Sequence, residues 1–337
     1  SDRLRRYAAP GAARVLACAS MLGLGAPLAP AAPAPAASAA PVGTPLVLRD
    51  QNPLIRGAYL PMPVASRTAD GWSLQATLNW SNTVNAGLRA DERFLVDAES
   101  LELGLLLQGR AGGWRFRAGL PVTHRDEGVL DGFIDGWHDL FGLPEGIRPQ
   151  RPKDAYTLFY ERLGVVEVDV PSGTALGDVQ LEAGRVLRAD EAGELSAWVG
   201  VELPTGRRSR LTGNGGVDGA AWLAGRRQLG PTVALTGQVG AVVLGGDEPV
   251  PLRSAGAFGT VTLGWQVLPA FEAIVQLDAH SALADDSRFE FLQAATLLTL
   301  GGRLRAAGGW SFEAGVTEDV AVDRSPDVTF HFGFTFR

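Results

Sequence analysis

Cysteine is nearly absent from this chain of 337 residues. The single example, Cys18, lies close to the N-terminus, so the remainder has no disulfide, no thiolate nucleophile and no cysteine-ligated metal. A clustered basic face is missing as well, and a formal charge of −7 with 43 glycines excludes nucleic acid as a partner. No stretch after residue 40 is a charge-free apolar run long enough for a membrane helix, which excludes a helical membrane protein. The four histidines, His124, His138, His280 and His331, lack the close spacing to another His, Cys or carboxylate that marks a zinc-binding helix. His138 with Asp135 and Asp139 reads as a solvated helix face. Gly213-Asn214-Gly215-Gly216 has no lysine nearby and reads as loop, not as a phosphate cradle. No metal and no cofactor are expected.

What is present begins with export grammar. Arg3, Arg5, Arg6 and Arg14 precede an apolar stretch over 15–28 that is too short to span a bilayer, and an Ala/Pro-rich tract follows. Ala37-Ser38-Ala39 offers the small residues a signal peptidase requires, so residues 1–39 are predicted to be a signal peptide with its tract. The Val15-Leu16-Ala17 sequence before Cys18 fits a lipobox poorly. Removal of 1–39 takes four arginines and Asp2 from the formal −7, leaving −10.

From residue 71 onward the dominant pattern is alternation with period two, the signature of a strand with two unlike faces. Val328, Phe330, Phe332, Phe334 and Phe336 share one face of the last strand, with Thr329, His331, Gly333 and Thr335 on the other. Trp72, Leu74, Ala76, Leu78 and Trp80 repeat the pattern, as do Phe271, Ala273, Val275, Leu277 and Ala279. Strands are predicted near 71–82, 93–108, 113–123, 177–188, 194–204, 217–228, 231–244, 255–268, 270–280, 289–304, 309–318 and 327–336. Their connections alternate short with long, including 83–92 and 124–176 among the long ones. Short periplasmic turns, long outer loops and an even count describe a bacterial outer-membrane barrel. The fold class is therefore all-β: a closed antiparallel transmembrane barrel of about twelve strands over 71–337, with fourteen as the alternative.

Residues 156–170 also alternate, but a thirteenth strand would break the even count. They are assigned, with a hairpin at Leu163-Gly164, to an extracellular excursion over 124–176. Within it a short helix is predicted near 128–142, because Leu130, Phe133, Ile134, Trp137, Leu140 and Phe141 recur at helical spacing; it packs on the rim or caps the lumen. Trp72, Trp114, Phe271, Trp310 and Phe336 fall at strand ends on the periplasmic side and suggest an interfacial girdle.

Asp50-Gln51-Asn52-Pro53-Leu54, the helix with His138-Asp139-Leu140-Phe141-Gly142-Leu143-Pro144, and Gly177-Asp178 before a strand resemble a bacterial outer-membrane barrel family known only as a domain of unknown function. The resemblance covers most of the chain after the signal. It implies a barrel and carries no activity or catalytic residues. More distantly, Asn52-Pro53 and Leu203-Pro204-Thr205-Gly206 are similar to barrels that import hydrophobic or aromatic compounds. Barrels of this kind end on an aromatic residue read by the barrel assembly machinery through the C-terminal strand; here Arg337 follows Phe336.

The inward strand faces carry Glu102, Arg115, Arg117, Asp178, Glu182, Glu202, Glu272, Asp278, Glu313 and His331. Residues 40–70 form a periplasmic or lumenal segment. Its Pro-rich part over 46–66, with Arg49, Asp50, Asn52 and Arg56, is predicted to fold inward and narrow the lumen. These fourteen residues are the lumen and plug candidates. The function expected is a passive channel or transporter for a small-molecule solute in the outer membrane of a Gram-negative bacterium, with outer-membrane lipid around it. A non-conducting structural or assembly barrel with partner-binding loops is the alternative. An outer-membrane hydrolase ranks lower: Ser287 and His280 flank one outer loop, and nothing selects them. The chain is read as not an enzyme.

Overall fold

The period-two pattern is realised as a continuous antiparallel wall. The structure, a computed structural model, describes residues 41–64, 71–141, 147–246, 249–321 and 324–336. The predicted signal peptide lies outside the described residues. Among them are fifteen strands: β1 (Trp72–Leu88), β2 (Glu92–Ala111), β3 (Trp114–Asp126), β4 (Thr157–Arg162), β5 (Val165–Asp169), β6 (Gly173–Leu176), β7 (Val179–Ala189), β8 (Gly193–Leu203), β9 (Asp218–Gln228), β10 (Val233–Val243), β11 (Ala255–Leu268), β12 (Phe271–His280), β13 (Ala295–Arg305), β14 (Ser311–Asp319) and β15 (Val328–Phe336). Twelve of them close the ring. β1 pairs with β2 on one side and β15 on the other, β2 with β3, and β3 with β7; from β7 to β15 each strand pairs with the next.

The β1–β15 register shows how the sequence sets the two faces. Leu74, Ala76 and Leu78 stand opposite Phe336, Phe334 and Phe332, while Gln75, Thr77 and Asn79 stand opposite Thr335, Gly333 and His331. The first set points outward and the second into the lumen, where Gln75, Thr77, Asn79, His331 and Thr335 are buried. Burial is thus inverted relative to a water-soluble protein. Large apolar side chains such as Leu103, Leu105, Leu107, Val239, Leu263, Leu300, Phe312 and Phe332 are exposed on the outer face, and carboxylates and guanidinia are enclosed. That arrangement is stable only where hydrocarbon meets the outer face, and closing the ring leaves no free edge within it. The aromatics of the predicted girdle, Trp72, Trp114, Phe271, Trp310 and Phe336, are all outward and exposed at the short-turn end, with Trp310 and Phe336 rings 4.2 Å apart.

Two predicted boundaries need correction. The segment 83–92 is not a long loop: β1 and β2 continue to Leu88 and Glu92, pairing throughout, and only three residues turn between them. Asn82 interrupts the outward apolar run, yet Val84, Ala86 and Leu88 still alternate with Thr83, Asn85 and Gly87 and the ladder continues. β4 then extends this protruding hairpin by pairing Thr157–Arg162 with Glu92–Asp97, and β5 pairs with β4 through a turn at Leu163 (φ 52°) and Gly164 (φ 77°). Consecutive left-handed residues favour a tight hairpin whose twist matches its strands. The second correction concerns 289–294, where strand was predicted. Residues Glu290–Leu292 form a short 3₁₀ turn, and Phe289, Phe291 and Leu292 are buried in the lumenal apolar cluster.

The helix, α1 (Asp131–Phe141), neither caps the lumen nor sits across it. Leu130 and Ile134 pack on Val328, Trp80, Val316 and Phe330, all on the outward face of the wall. Glu99 fixes its start, accepting hydrogen bonds from the amides of Val129 and Leu130 at 2.9 and 2.8 Å and from Trp80 Nε1. Phe133 remains half-exposed with its ring 5.8 Å from Phe330. A helix with this disposition lies at the edge of the apolar belt.

Arg148 ties α1 down. Its guanidinium meets Asp131 at 2.9 Å, Asp135 at 3.2 Å, Asp327 at 2.6 Å and the Asn82 side-chain oxygen at 2.7 Å. Burial works against the charge of Asp135, yet hydrogen bonds from Lys153 and Arg148 outweigh it and hold its pKa below the usual aspartate value. Its contribution is complete above that usual value and is lost as pH falls through the lowered one. Arg148→Ala leaves the buried Asp131 without its cation, a cost of about 3 kcal/mol, so amide exchange over 131–141 should accelerate roughly a hundredfold. Unchanged exchange would show that α1 is held by its apolar contacts alone.

Candidate functional site

Twelve strands give a bore intermediate between side-chain-filled and open barrels. In this barrel, residues 41–64 run inside it. The segment carries prolines at 41, 45, 53, 61 and 63, which have no N–H to give a ladder and prevent it from joining the wall as a strand. Its buried amides and carbonyls must be satisfied otherwise, and wall side chains do so.

The ascent follows β12. The Gly43 amide donates to Glu272 Oε1 at 2.6 Å, the Leu46 amide to Gln276 Oε1 at 2.9 Å, and Asp50 pairs with His280 Nε2 at 3.0 Å. Glu272, Gln276 and His280 are every second member of one inward face, four residues apart, and grip the segment from the short-turn end to the long-loop end. Arg303 of β13 adds a second hold, donating to the Thr44 and Pro45 carbonyls at 3.0 and 3.2 Å while pairing with Glu313 at 2.7 Å and Glu272 at 3.4 Å. Ser325 Oγ donates to Asp50 Oδ1 at 2.7 Å, and Asn52 Nδ2 to the Phe291 carbonyl at 2.6 Å.

At the top the chain reverses. The Asn52 amide donates to Asp50 Oδ1 and the Leu54 amide to Asn52 Oδ1, a local side-chain turn of the kind Asp and Asn favour. Arg49 closes the bend by donating to the Leu60 carbonyl at 3.1 Å. The descent meets the opposite wall: Arg56 pairs with Glu102, Tyr59 Oη donates to Glu182, Arg117 donates to the Met62 carbonyl at 3.1 Å, and the Val64 amide donates to Gln238 at 3.2 Å. Leu54, Ile55, Ala58, Tyr59, Leu60 and Val64 join an apolar cluster with wall residues including Trp198, Trp222 and Phe258. The two tryptophan rings stack 5.9 Å apart. Beside the segment, a void of about 30 Å³ lies against Val47, Met62, Glu102, Arg117 and Glu182. That is the share of roughly one water molecule.

Residues 27–337 match a family described as "Protein of unknown function (DUF3187)". The chain belongs to this family. Among solved structures, the COG4313 outer membrane channel from Pseudomonas putida F1 is similar, with a TM-score of 0.53 at 13% identity over 80% of this chain and 96% of that one. The two share the barrel fold. The KdgM porin aligns at a TM-score of 0.44 with 8% identity over 79% of this chain and 98% of that one. The Ralstonia pickettii toluene transporter TbuX aligns at 0.39 with 8% identity over 81% and 90%. Comparison with proteins of curated function finds no match.

In this member of the DUF3187 family the fourteen sequence candidates separate by how they meet the inserted segment. Arg49, Asp50, Asn52 and Arg56 belong to the inserted segment, and Glu102, Arg117, Glu182 and Glu272 touch it directly. Glu313 acts one step removed: it orients Arg303 and pairs with His331 at 3.2 Å, whose other nitrogen meets Asn79 at 2.7 Å. The remaining four brace the wall. Arg115 pairs with Glu194, Glu202 accepts from Gln180 at 2.8 Å, and Asp278 accepts from Thr260 and Gln276. Asp178 accepts the Gly206 amide at 2.6 Å and holds the 204–217 loop; burial pushes its carboxyl above the usual range. The sequence candidates do not include Tyr59, Arg303, Gln276 or Asp218, whose carboxylate accepts the Tyr59 amide at 3.3 Å. Arg303 and Gln276 share the inward parity of their strands with Thr299 and Glu272, and that parity alone was sufficient to find them.

Ser287 and His280 are not brought together. Ser287 Oγ donates to Glu92 at 3.1 Å, whereas His280 pairs with Asp50. No group of three or more His, Cys, Asp or Glu side chains could hold a metal ion among the described residues. The side chain of His138 lies outside them.

Proposed function

We propose that the protein is a passive outer-membrane channel for small molecules whose lumen is closed from within by residues 41–64. The observation that carries this reading is that the obstruction is not part of the wall. The segment is held by side-chain hydrogen bonds, ion pairs and apolar contact, while every strand-to-strand ladder of the ring runs without it. Withdrawal of the segment therefore costs no wall hydrogen bond. Export by residues 1–39, insertion through the assembly machinery and a surround of outer-membrane lipid complete the proposal.

A second reading, a non-conducting structural barrel, draws support from the same interior: its ion pairs are matched and its upper half is apolar and filled. Locking the segment separates the two. Asp50→Cys with Ser325→Cys places two thiols where a 2.7 Å hydrogen bond stands, in a chain whose only other cysteine is in the signal region. For a channel, solute uptake into proteoliposomes should fall several-fold on oxidation and return with reductant. Uptake at the protein-free level in both states would favour the structural barrel.

A further inference from the structure

Tyr59 is one of the largest fully enclosed side chains among the described residues, and the wall is shaped around its hydroxyl. Its Oη donates to Glu182 Oε1 at 3.3 Å; the other oxygen of that carboxylate is held by Arg117 at 2.8 Å. Glu182 is therefore an oriented acceptor, fixed from the side away from Tyr59. On β8, Gly200 faces the same point. A Cβ there would lie 2.2 Å from Tyr59 Oη and 3.2 Å from Trp222 Cζ3, so only glycine leaves room for a phenol at this depth. Trp222 belongs to the apolar cluster around the tyrosine and stacks on Trp198. An aromatic wall, a bare backbone floor and one buried carboxylate acceptor are the elements that recognise a hydroxyl-bearing aromatic ring.

The tyrosine that fills this pocket is on the segment, not on the wall. Glu182, Gly200 and Trp222 stay in place if residues 41–64 withdraw, because β7, β8 and β9 pair with one another regardless of the segment. We infer that the Glu182–Gly200–Trp222 pocket is a binding site for a phenol-class solute, which competes with Tyr59 and so favours release of the segment. This rests on the channel reading and gives it a solute class. A ligand lacking the hydroxyl leaves the buried Glu182 oxygen without its partner, and sites built around a hydroxyl discriminate strongly against analogues that lack it.

Two measurements with p-cresol, the free equivalent of the tyrosine side chain, test the inference. In the full chain, Arg49 and Arg56 are enclosed, so trypsin cleaves after Arg56 only when the segment has left. Cleavage should accelerate saturably with p-cresol and remain at its basal rate with toluene at the same concentration. In Tyr59→Ala, titration calorimetry should show p-cresol bound at least about tenfold more tightly than toluene, equivalent to about 1.4 kcal/mol. Adding Gly200→Val to that variant should abolish the binding. Each barrel is first shown to be folded by its faster migration in unboiled gels. If Tyr59→Ala does not fold, the cleavage assay on the unaltered chain decides alone. Equal effects of toluene and p-cresol, or no effect of either, overturn the site. Failure of the channel reading looks different: p-cresol would still bind and release the segment while the barrel stayed silent in bilayers. Conversely, a barrel that conducts once the segment is removed but ignores p-cresol loses the solute class alone.

Discussion

A full chain lacking residues 43–64 should conduct in planar bilayers, with long-lived open events where the intact protein is nearly silent. The void beside the inserted segment has the volume of about one water molecule. On the proposed reading, current through the intact barrel is set by how seldom the segment leaves. Removing it empties the lumen along Glu272, Gln276 and His280 on one wall and Glu102, Arg117 and Glu182 on the other. Bores of twelve strands lie between the filled small barrels and the open porins, so the open state should be a narrow pore. Its preference should be for cations, since the deletion takes out Arg49 and Arg56 against Asp50 alone and leaves Glu102 without Arg56. The outcome that defeats the reading is a variant that migrates as a folded barrel in unboiled gels yet passes no more current than the intact chain.

Arg303→Ala should be the most damaging single substitution in the lumen. Arg303 is enclosed and serves two carboxylates, Glu272 and Glu313, besides two carbonyls of the inserted segment. Breaking a buried pair by removing one partner costs about 3–5 kcal/mol, because an uncompensated charge remains. Arg305 also reaches Glu272, which softens the loss at that carboxylate; Glu313 keeps only His331 and Gln75. The expected loss, at the lower end of that range, is read from the urea dependence of the folded gel band. Glu313→Gln in the same chain should recover part of it by removing the stranded charge. A loss below about 1 kcal/mol, the scale of exposed pairs, would mean that water reaches this cluster and screens it.

The wall was largely legible because lipid imposes a rule on every second residue. Phe332 against His331, or Leu105 against Gly104, can be assigned without any knowledge of neighbours. Asn82 breaks that rule in β1 and Arg89, Asp91 and Glu92 follow closely, so 83–92 reads as loop although Val84, Ala86 and Leu88 still alternate; the strands there are sustained by pairing with each other and with β4. At 289–294 it misled in the other direction. Strand is predicted there, but at that level the lumen itself is apolar and the Phe289 and Phe291 rings turn into it. The candidate lumen residues were found through parity alone. Their partners were not, since the contacts join positions far apart in sequence, 230 residues from Leu46 to Gln276 and 275 from Asp50 to Ser325. Tyr59 escaped notice because a tyrosine among prolines shows no pattern; its importance comes from a glycine on another strand.

The wall residues that hold the ascending half of the segment come from the last third of the barrel. Glu272, Gln276, His280, Arg303 and Ser325 all follow the first eight of the twelve ring strands in the chain. The descending half is held by strands from the other end of the wall, β2, β3 and β7, through Glu102, Arg117 and Glu182. The segment therefore clasps the first and last parts of the wall to one another across the interior, a second fastening beside the β1–β15 ladder that closes the ring.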